Sequence, residues 1–254
     1  MNIQEQSALV TGGGSGLGEA VARQLAAQGA KVAVLDVNAS SAQRVAAAIG
    51  GLACTCDITD SASVTAALNA AEAVHGPARI VMNIAGIGTA RRVIQRDGSP
   101  APLEDFERVV RINLIGTYNV IRLAVARITK LEPLADGERG VVVNTASVAA
   151  FDGQVGQEAY AASKAGVAGM TLPLARDLAQ WGVRVCTVAP GLFATPLLQE
   201  LPPEVQQALA SSIPFPRRLG QPDEFAALAL HIVVNGHLNG EVIRLDGALR
   251  MAAR

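Results

Sequence analysis

The chain has 254 residues, a formal net charge of −1 and a 50 % share of hydrophobic residues. That length suits one large α/β domain, with two small domains also compatible, and the lack of any basic block excludes an electrostatic nucleic-acid footprint. No apolar run reaches the ~18 residues that span a bilayer, so no membrane association is expected. Aromatic residues make up 3 %, so the core must be built mainly from Ala, Val, Leu and Ile. The N-terminus passes directly into the apolar run Ala8-Leu9-Val10, without the basic region of a secretory signal. Cys54, Cys56 and Cys186 are sparse and lack CxxC spacing, which suits a reducing compartment, and a cytoplasmic location is expected. Cys54-x-Cys56 has no second ligand pair, and His75, His231 and His237 are scattered, so no metal site is expected.

Apolar strand-like runs alternate with Ala-rich helical stretches along the whole chain. The pattern predicts strands over Ala8–Thr11, Lys31–Asp36, Leu52–Cys56, Ala78–Asn83, Gly140–Ser147, Val183–Ala189 and Glu241–Leu245. Between them it predicts helices over Gly16–Gln28, Ser40–Ile49, Ser61–His75, Leu103–Lys130, Glu158–Trp181 and Pro222–Val233. Such regular alternation implies a parallel sheet with helices on both faces. Two polar inserts, Arg91–Pro102 and Glu132–Arg139, read as surface loops. The Pro-rich segment Gly191–Arg217 reads as a lid over a site. One domain over residues 1–254 is expected.

The first chemical motif is Thr11-Gly12-Gly13-Gly14-Ser15-Gly16-Leu17-Gly18, placed after a strand and opening a helix. Glycines there let backbone N–H groups approach a pyrophosphate, whose charge the helix N-terminus favours. Asp36 ends the second strand and would accept hydrogen bonds from the ribose hydroxyls of NAD while repelling the extra phosphate of NADP. No Arg or Lys neighbours it in the chain, which favours NAD. Asp57, closing the third strand beside Ile58, is placed to accept from an adenine amino group, and Asp60 reads as a helix N-cap. Asn83-Ile84-Ala85-Gly86 ends the fourth strand with residues small enough for a nucleotide to lie on the backbone. Asn113 sits inside a predicted helix, an unfavourable place by propensity, which suggests a role.

The central stretch runs from Ser147 to Lys164. Tyr160 and Lys164 are four apart, one helical turn from each other, and Ser147 lies at the end of the Val141-Val142-Val143 strand. An ammonium beside a phenol favours the phenolate. A useful base at neutral pH needs a downward shift of roughly 2–3 units from ~10, or about 3–4 kcal/mol. Tyr-x-x-x-Lys by itself is common on ordinary amphipathic helices, and only its company makes it chemical.

Taken together, the glycine turn, Asp57, Asn83-Ile-Ala-Gly86, Asn113, Ser147, Tyr160-x-x-x-Lys164 and Pro190-Gly191 resemble the short-chain dehydrogenase/reductase family across essentially the whole chain. The resemblance implies a Rossmann-type, doubly wound, seven-stranded parallel sheet and a nicotinamide nucleotide. It implies that Tyr160 takes a proton from a secondary alcohol, that Lys164 holds the ribose, and that Ser147 hydrogen-bonds the reacting oxygen. Asn113 is expected to hold a water on a proton route. Gly12, Ser15, Gly16, Leu17, Gly18, Asp36, Asp57, Ile58, Asn83, Ala85, Gly86, Pro190, Gly191, Phe193 and Thr195 are expected at the cofactor. Ile84 and Cys186 replace residues that are usually Asn in the family, which is read as a packing change and a doubtful structural hydrogen bond.

The segments 146–156, 189–198 and 238–247 are further similar to the type II 3-hydroxyacyl-CoA dehydrogenase subgroup, also called type 10 17β-hydroxysteroid dehydrogenases. That similarity implies a small-molecule substrate, an acyl-CoA, contacted by Ser147, Tyr160, Gln154 and Leu198. Phe193, Leu197, Leu198, Leu201 and Phe215 are expected to wall an apolar pocket under the lid. A homotetramer is expected, with the two long helices and the Arg250–Arg254 tail taking part. The alternatives are a hydroxysteroid or other secondary-alcohol dehydrogenase, an NADPH-dependent 3-oxoacyl-carrier-protein reductase, and a nucleotide-binding scaffold without catalysis.

Overall fold

The computed structural model describes residues 1–88, 90–199 and 202–253, apart from the side chains of Leu197 and Gln199. Seven strands form one parallel sheet in the order β3-β2-β1-β4-β5-β6-β7. They are β1 (Ser7–Thr11), β2 (Lys31–Asp36), β3 (Leu52–Thr55), β4 (Ile80–Asn83), β5 (Gly140–Thr145), β6 (Val183–Pro190) and β7 (Val242–Leu245). The helices are α1 (Gly16–Ala27), α2 (Ala39–Ile49), α3 (Ser61–His75), α4 (Leu103–Val110), α5 (Thr117–Ile128), α6 (Glu158–Leu178), α7 (Pro196–Gln199), α8 (Pro203–Ser211) and α9 (Pro222–Val234). This is the doubly wound α/β architecture expected from the alternation.

The continuous apolar strands serve two cores because successive side chains point to opposite faces. Ala8, Val10, Val141 and Val143 pack with α1, α2 and α9. Leu9 and Val142, one residue out of phase, pack with α3, α5 and α6. Caps close the helices where polar residues foretold them. Asp60 accepts from the amides of Ala62 and Ser63, and Asn38 accepts from that of Ser41.

Three features differ from the sequence expectation. The predicted helix Leu103–Lys130 is interrupted by a π turn over Arg111–Gly116, between α4 and α5. The whole run Leu103–Ile128 is long and apolar enough to cross a membrane by length and composition, and half of its most apolar window is buried inside the protein. The segment after Gly191, read as a lid, contains two short helices, α7 and α8, that were not among the predicted elements.

Strand order reverses between β1 and β4, and the ends of these two strands are tied together. Thr11 Oγ1 accepts from the amides of Ile84 at 3.1 Å and Ala85 at 3.2 Å, and donates to Met82 O at 3.4 Å. Replacing Thr11 with Val keeps the shape but strands two amides. Urea unfolding should show a loss of about 1–3 kcal/mol.

Candidate active site

A cleft of about 670 Å³ opens at the C-terminal ends of the strands, at the β1/β4 switch point where open α/β sheets bind ligands. Its floor is the glycine turn. Gly12 has a left-handed backbone (φ 64°), and a Cβ there would stand 2.8 Å from the Ala85 backbone. A Cβ on Gly18 would collide with Gly12 O, so this glycine lets α1 start directly against β1. Asp36 lies at the cleft wall, with Oδ2 accepting from Gly14 N at 3.0 Å and Oδ1 from Asn38 N at 2.9 Å. Asp57 and Ile58 line the next part of the wall. Asp57 Oδ1 accepts from both the amide and the hydroxyl of Thr59, each at 2.8 Å.

Folding adds a cation that chain neighbours do not reveal. Arg44, on α2, reaches the glycine turn and donates to Gly14 O at 2.8 Å. It is held there by Glu19, whose carboxyl the hydrogen bond from Arg44 pulls down to about 2, despite partial burial.

The proton-handling groups converge on the other side of the cleft. Ser147 follows β5 and is the N-cap of a short 3₁₀ turn, its Oγ accepting from Ala149 N at 3.1 Å. Its hydroxyl lies near enough to the Tyr160 phenol to pull that group's pKa down. Lys164, one turn along α6, is buried, and its Nζ donates to Thr145 O at 2.8 Å. Among the described residues it makes no ion pair. Burial pushes its ammonium down to about 8. The Tyr160 phenol is pushed above its ordinary value by burial, while the Ser147 hydrogen bond pulls it down. The expected lowering by Lys164 is therefore corrected for this state. The ammonium faces Thr145 O and stands 5.8 Å from the Tyr160 ring centre, so desolvation outweighs it.

Asn113 sits in the π turn, fully buried. Its Oδ1 accepts from Ile87 N at 2.8 Å, and its Nδ2 donates to Ile87 O at 2.9 Å and to Ser163 Oγ at 3.1 Å. The side chain thus pins the loop after β4 to α6. That loop needs Gly86, where a Cβ would lie 3.1 Å from Asn113 Oδ1 and 3.3 Å from Lys164 Nζ. The Asn113 carbonyl takes the Thr117 hydroxyl at 2.8 Å. π turns frequently mark functional sites.

Of the cofactor residues expected from sequence, Gly12, Ser15, Gly16, Leu17, Gly18, Asp36, Asp57, Ile58, Ala85, Gly86, Tyr160, Lys164, Pro190 and Thr195 line this one cleft. Three do not. The buried Asn83 donates to Asn144 Oδ1 at 2.9 Å and joins β4 to β5 within the sheet. Gly191 packs on Asp246, where a Cβ would sit 2.8 Å away. Phe193 is buried edge-to-face on Phe225, with ring centres 6.3 Å apart. It faces a separate cavity of about 210 Å³.

The apolar wall under the lid is not assembled as expected. Phe215 is 81 % exposed, and the half-buried Leu198 does not line the cleft. The Leu197 side chain and Leu201 lie outside the described residues. Gln154 is committed to the C-terminal segment, with Nε2 donating to Ala252 O at 2.9 Å. Ile84 packs against the core and also lines the cleft. Cleft residues that sequence did not flag include Ile87, Arg108, Arg111, Ile112 and Thr145. None carries a motif, and only the fold brings them there. Among the described residues, no three His, Cys, Asp or Glu side chains group as a metal site.

A glycine-floored cleft with a carboxylate at one end and a Ser–Tyr–Lys group at the other fits a nicotinamide nucleotide. The buried ammonium, without a counter-charge among the described residues, and the cradle that a Cβ would fill are the observations that carry this fit. Such a fold and site define an oxidoreductase. The family profile for short chain dehydrogenases matches residues 6–206, and the chain belongs to that family. It is 53 % identical over 252 residues to a 3-hydroxyacyl-CoA dehydrogenase type-2 of Drosophila melanogaster, covering 98 % of this chain and 99 % of that protein. It is 51 % identical over 247 residues to the Homo sapiens protein of the same name, covering 96 % and 95 %. A 3-hydroxyacyl-CoA dehydrogenase type-2 structure from Mycobacterium avium superposes with a TM-score of 0.95 at 45 % identity, covering 98 % of each chain. A 3-ketoacyl-(acyl-carrier-protein) reductase from Brucella melitensis, complexed with NADH, gives 0.87 at 32 % identity, covering 98 % of this chain and 100 % of that one.

The buried Lys164 makes a stability prediction. Its folded pKa of about 8 lies below the ordinary 10.5, so the unfolded chain binds more protons between these values. Wild-type stability therefore rises as pH rises through that window. Lys164→Met should stabilise the cofactor-free protein at pH 7 by up to about 3 kcal/mol, an advantage that fades toward pH 10.5. Urea unfolding at pH 7 and pH 10 measures the difference.

Proposed function

We propose that this enzyme uses NAD to interconvert 3-hydroxyacyl-CoA and 3-oxoacyl-CoA. The observation that carries the chemistry is the Tyr160 phenol and the buried Lys164 ammonium, which line one end of the nucleotide cleft, with Ser147 beside the phenol. The names and identities of the Drosophila and human relatives support the acyl-CoA substrate. In the cleft, NAD supplies a hydride acceptor at the nicotinamide ring. Ser147 Oγ–H donates to the reacting oxygen and holds it against Tyr160. In the oxidation direction the Tyr160 oxygen takes the hydroxyl proton; in reduction it returns it. Lys164 Nζ, with hydrogens left beyond the one given to Thr145 O, holds the ribose hydroxyls and favours the phenolate by its charge. Asn113 keeps the Gly86 loop clear of the ammonium.

Asp36 supports NAD over NADP, because a 2′-phosphate would meet its carboxylate. Arg44, the cation at the turn, is already held by Glu19. Exposed Phe106, Ile115, Tyr118 and Leu172 on α4, the π turn, α5 and α6 support association through these helices, and we propose a homotetramer. The buried free thiols of Cys54, Cys56 and Cys186 support a reducing, cytoplasmic setting.

The test is NADH formation from 3-hydroxybutyryl-CoA and longer homologues, with a hydroxysteroid as the competing substrate class. Tyr160→Phe should retain NAD binding and lose at least about 10³-fold in kcat, the scale of general acid–base catalysis. Turnover by that variant at the wild-type rate would rule out the assignment. Because oxidation needs the phenolate, its kcat/KM should fall as pH drops. Reduction needs the phenol and should fall as pH rises. Asp36→Ala should shift preference toward NADP by about tenfold or more, read from kcat/KM with each cofactor.

A further inference from the structure

The chain from Val148 to Gln157 joins the two residues whose hydroxyls meet at the reacting oxygen. Its Val148, Ala149 and Gly156 are buried, while Phe151 and Val155 between them are 52 % and 44 % exposed. This exposed middle is held from two sides. On one side Arg91 N donates to Gly156 O at 2.7 Å. On the other lies the C-terminal segment: Val155 N donates to Ala253 O at 3.1 Å, and Gln154 Nε2 to Ala252 O at 2.9 Å.

That segment is brought back over the loop by Gly247 and Ala248, consecutive residues with left-handed backbone (φ 60° and 66°). One side chain ties the arrangement together. Arg244, on β7, pairs through its two Nη groups with both oxygens of Asp152 in the loop. Its Nε donates to Asp246 Oδ2 at 2.7 Å and its Nη2 to Leu249 O at 2.9 Å. Its guanidinium stands 5.4 Å from the Phe151 ring centre. Arg250 closes the array on Asp246 Oδ2 at 3.1 Å. The Arg244 and Asp152 side chains are 22 % and 18 % exposed, and removing Arg244 takes away the main cation on the Asp152 carboxylate, whereas Arg244 keeps Asp246 if Asp152 is removed.

We propose that Arg244 is a positioning residue for the substrate half of the site. It acts through Asp152 and the strap Leu249–Ala253, which together fix the loop between Ser147 and Tyr160. Gln154 then serves by holding the strap. The glycine turn and Asp36, at the far end of the cleft, lie outside this array. The kinetic part of the proposal rests on the dehydrogenase assignment above; the structural part does not.

The test uses truncation after Met251, which removes both strap carbonyls, and Arg244→Met with Arg244→Lys as the conservative variant. Hydrogen exchange at the Val155 amide should be about tenfold faster in the truncated chain and in Arg244→Met. Unchanged protection there overturns the strap, whether or not acyl-CoA is turned over. With 3-hydroxybutyryl-CoA, or whichever secondary alcohol the wild type oxidises, KM should rise about tenfold and NAD affinity stay unchanged. Arg244→Lys, which pairs with Asp152 without the fork, should fall between. Equal losses of substrate and NAD affinity, together with a lowered Tm, would show a merely structural role and overturn the positioning claim. If the wild type oxidises no secondary alcohol, the functional assignment fails and the exchange experiment alone decides the strap.

Discussion

The site depends on a cation kept out of water. Lys164 is buried with a backbone carbonyl as its partner and no counter-charge among the described residues. A desolvated ammonium in that state is costly, as its depressed pKa records. The surrounding geometry follows from housing it. β5 must end at Thr145 to offer the carbonyl, α6 must present its second turn to the cleft, and the loop after β4 must carry glycine at 86 to leave space. Asn113 holds that loop, and its own place in a π turn breaks the helix that would otherwise run straight past. The fold thus carries a local instability at Lys164, on the wall of the cleft.

The two halves of the cleft are built by different means. The nucleotide half is made of strand ends and backbone, with Thr11 tying β1 to β4 and Asp36 bracing the glycine turn through Gly14. The other half includes the loop between Ser147 and Tyr160, braced by the Arg91 amide and by the Asp152–Arg244 side-chain pair. Backbone-built regions tolerate little variation, because a single Cβ at Gly12 or Gly18 would collide. Loop-built regions can be reshaped without disturbing the sheet, which is how one fold serves several substrates.

Much of this could be read from the chain. Strand and helix positions followed from periodicity, with Lys31–Asp36 and Ser61–His75 matching the observed bounds. Asp60 was legible as a cap because capping is local. The helix through Asn113 was foreseen and its π turn was not, since the interruption depends on Asn113 reaching Ile87 and Ser163 across the molecule. Asn83 and Phe193 were expected at the cofactor and lie off the cleft for a related reason. Each is within two residues of a cleft residue in sequence, yet its side chain points into the sheet or against Phe225. Arg44 was missed because it is distant from Gly14 in the chain and adjacent to it in space. Gln154 was foreseen at the substrate, where the C-terminal segment takes its amide.

By itself the sequence determined the alternation of strand and helix, the glycine turn with Asp36, and the Ser147, Tyr160 and Lys164 constellation. These are local signals, set by side-chain period, backbone freedom and spacing within one helical turn. The tertiary structure alone decided the protonation balance of Tyr160 and Lys164, the tie of the C-terminal segment to the substrate loop, and which neighbours of the motifs face the cleft. Burial and long-range hydrogen bonds control all three, and neither exists until the chain has folded.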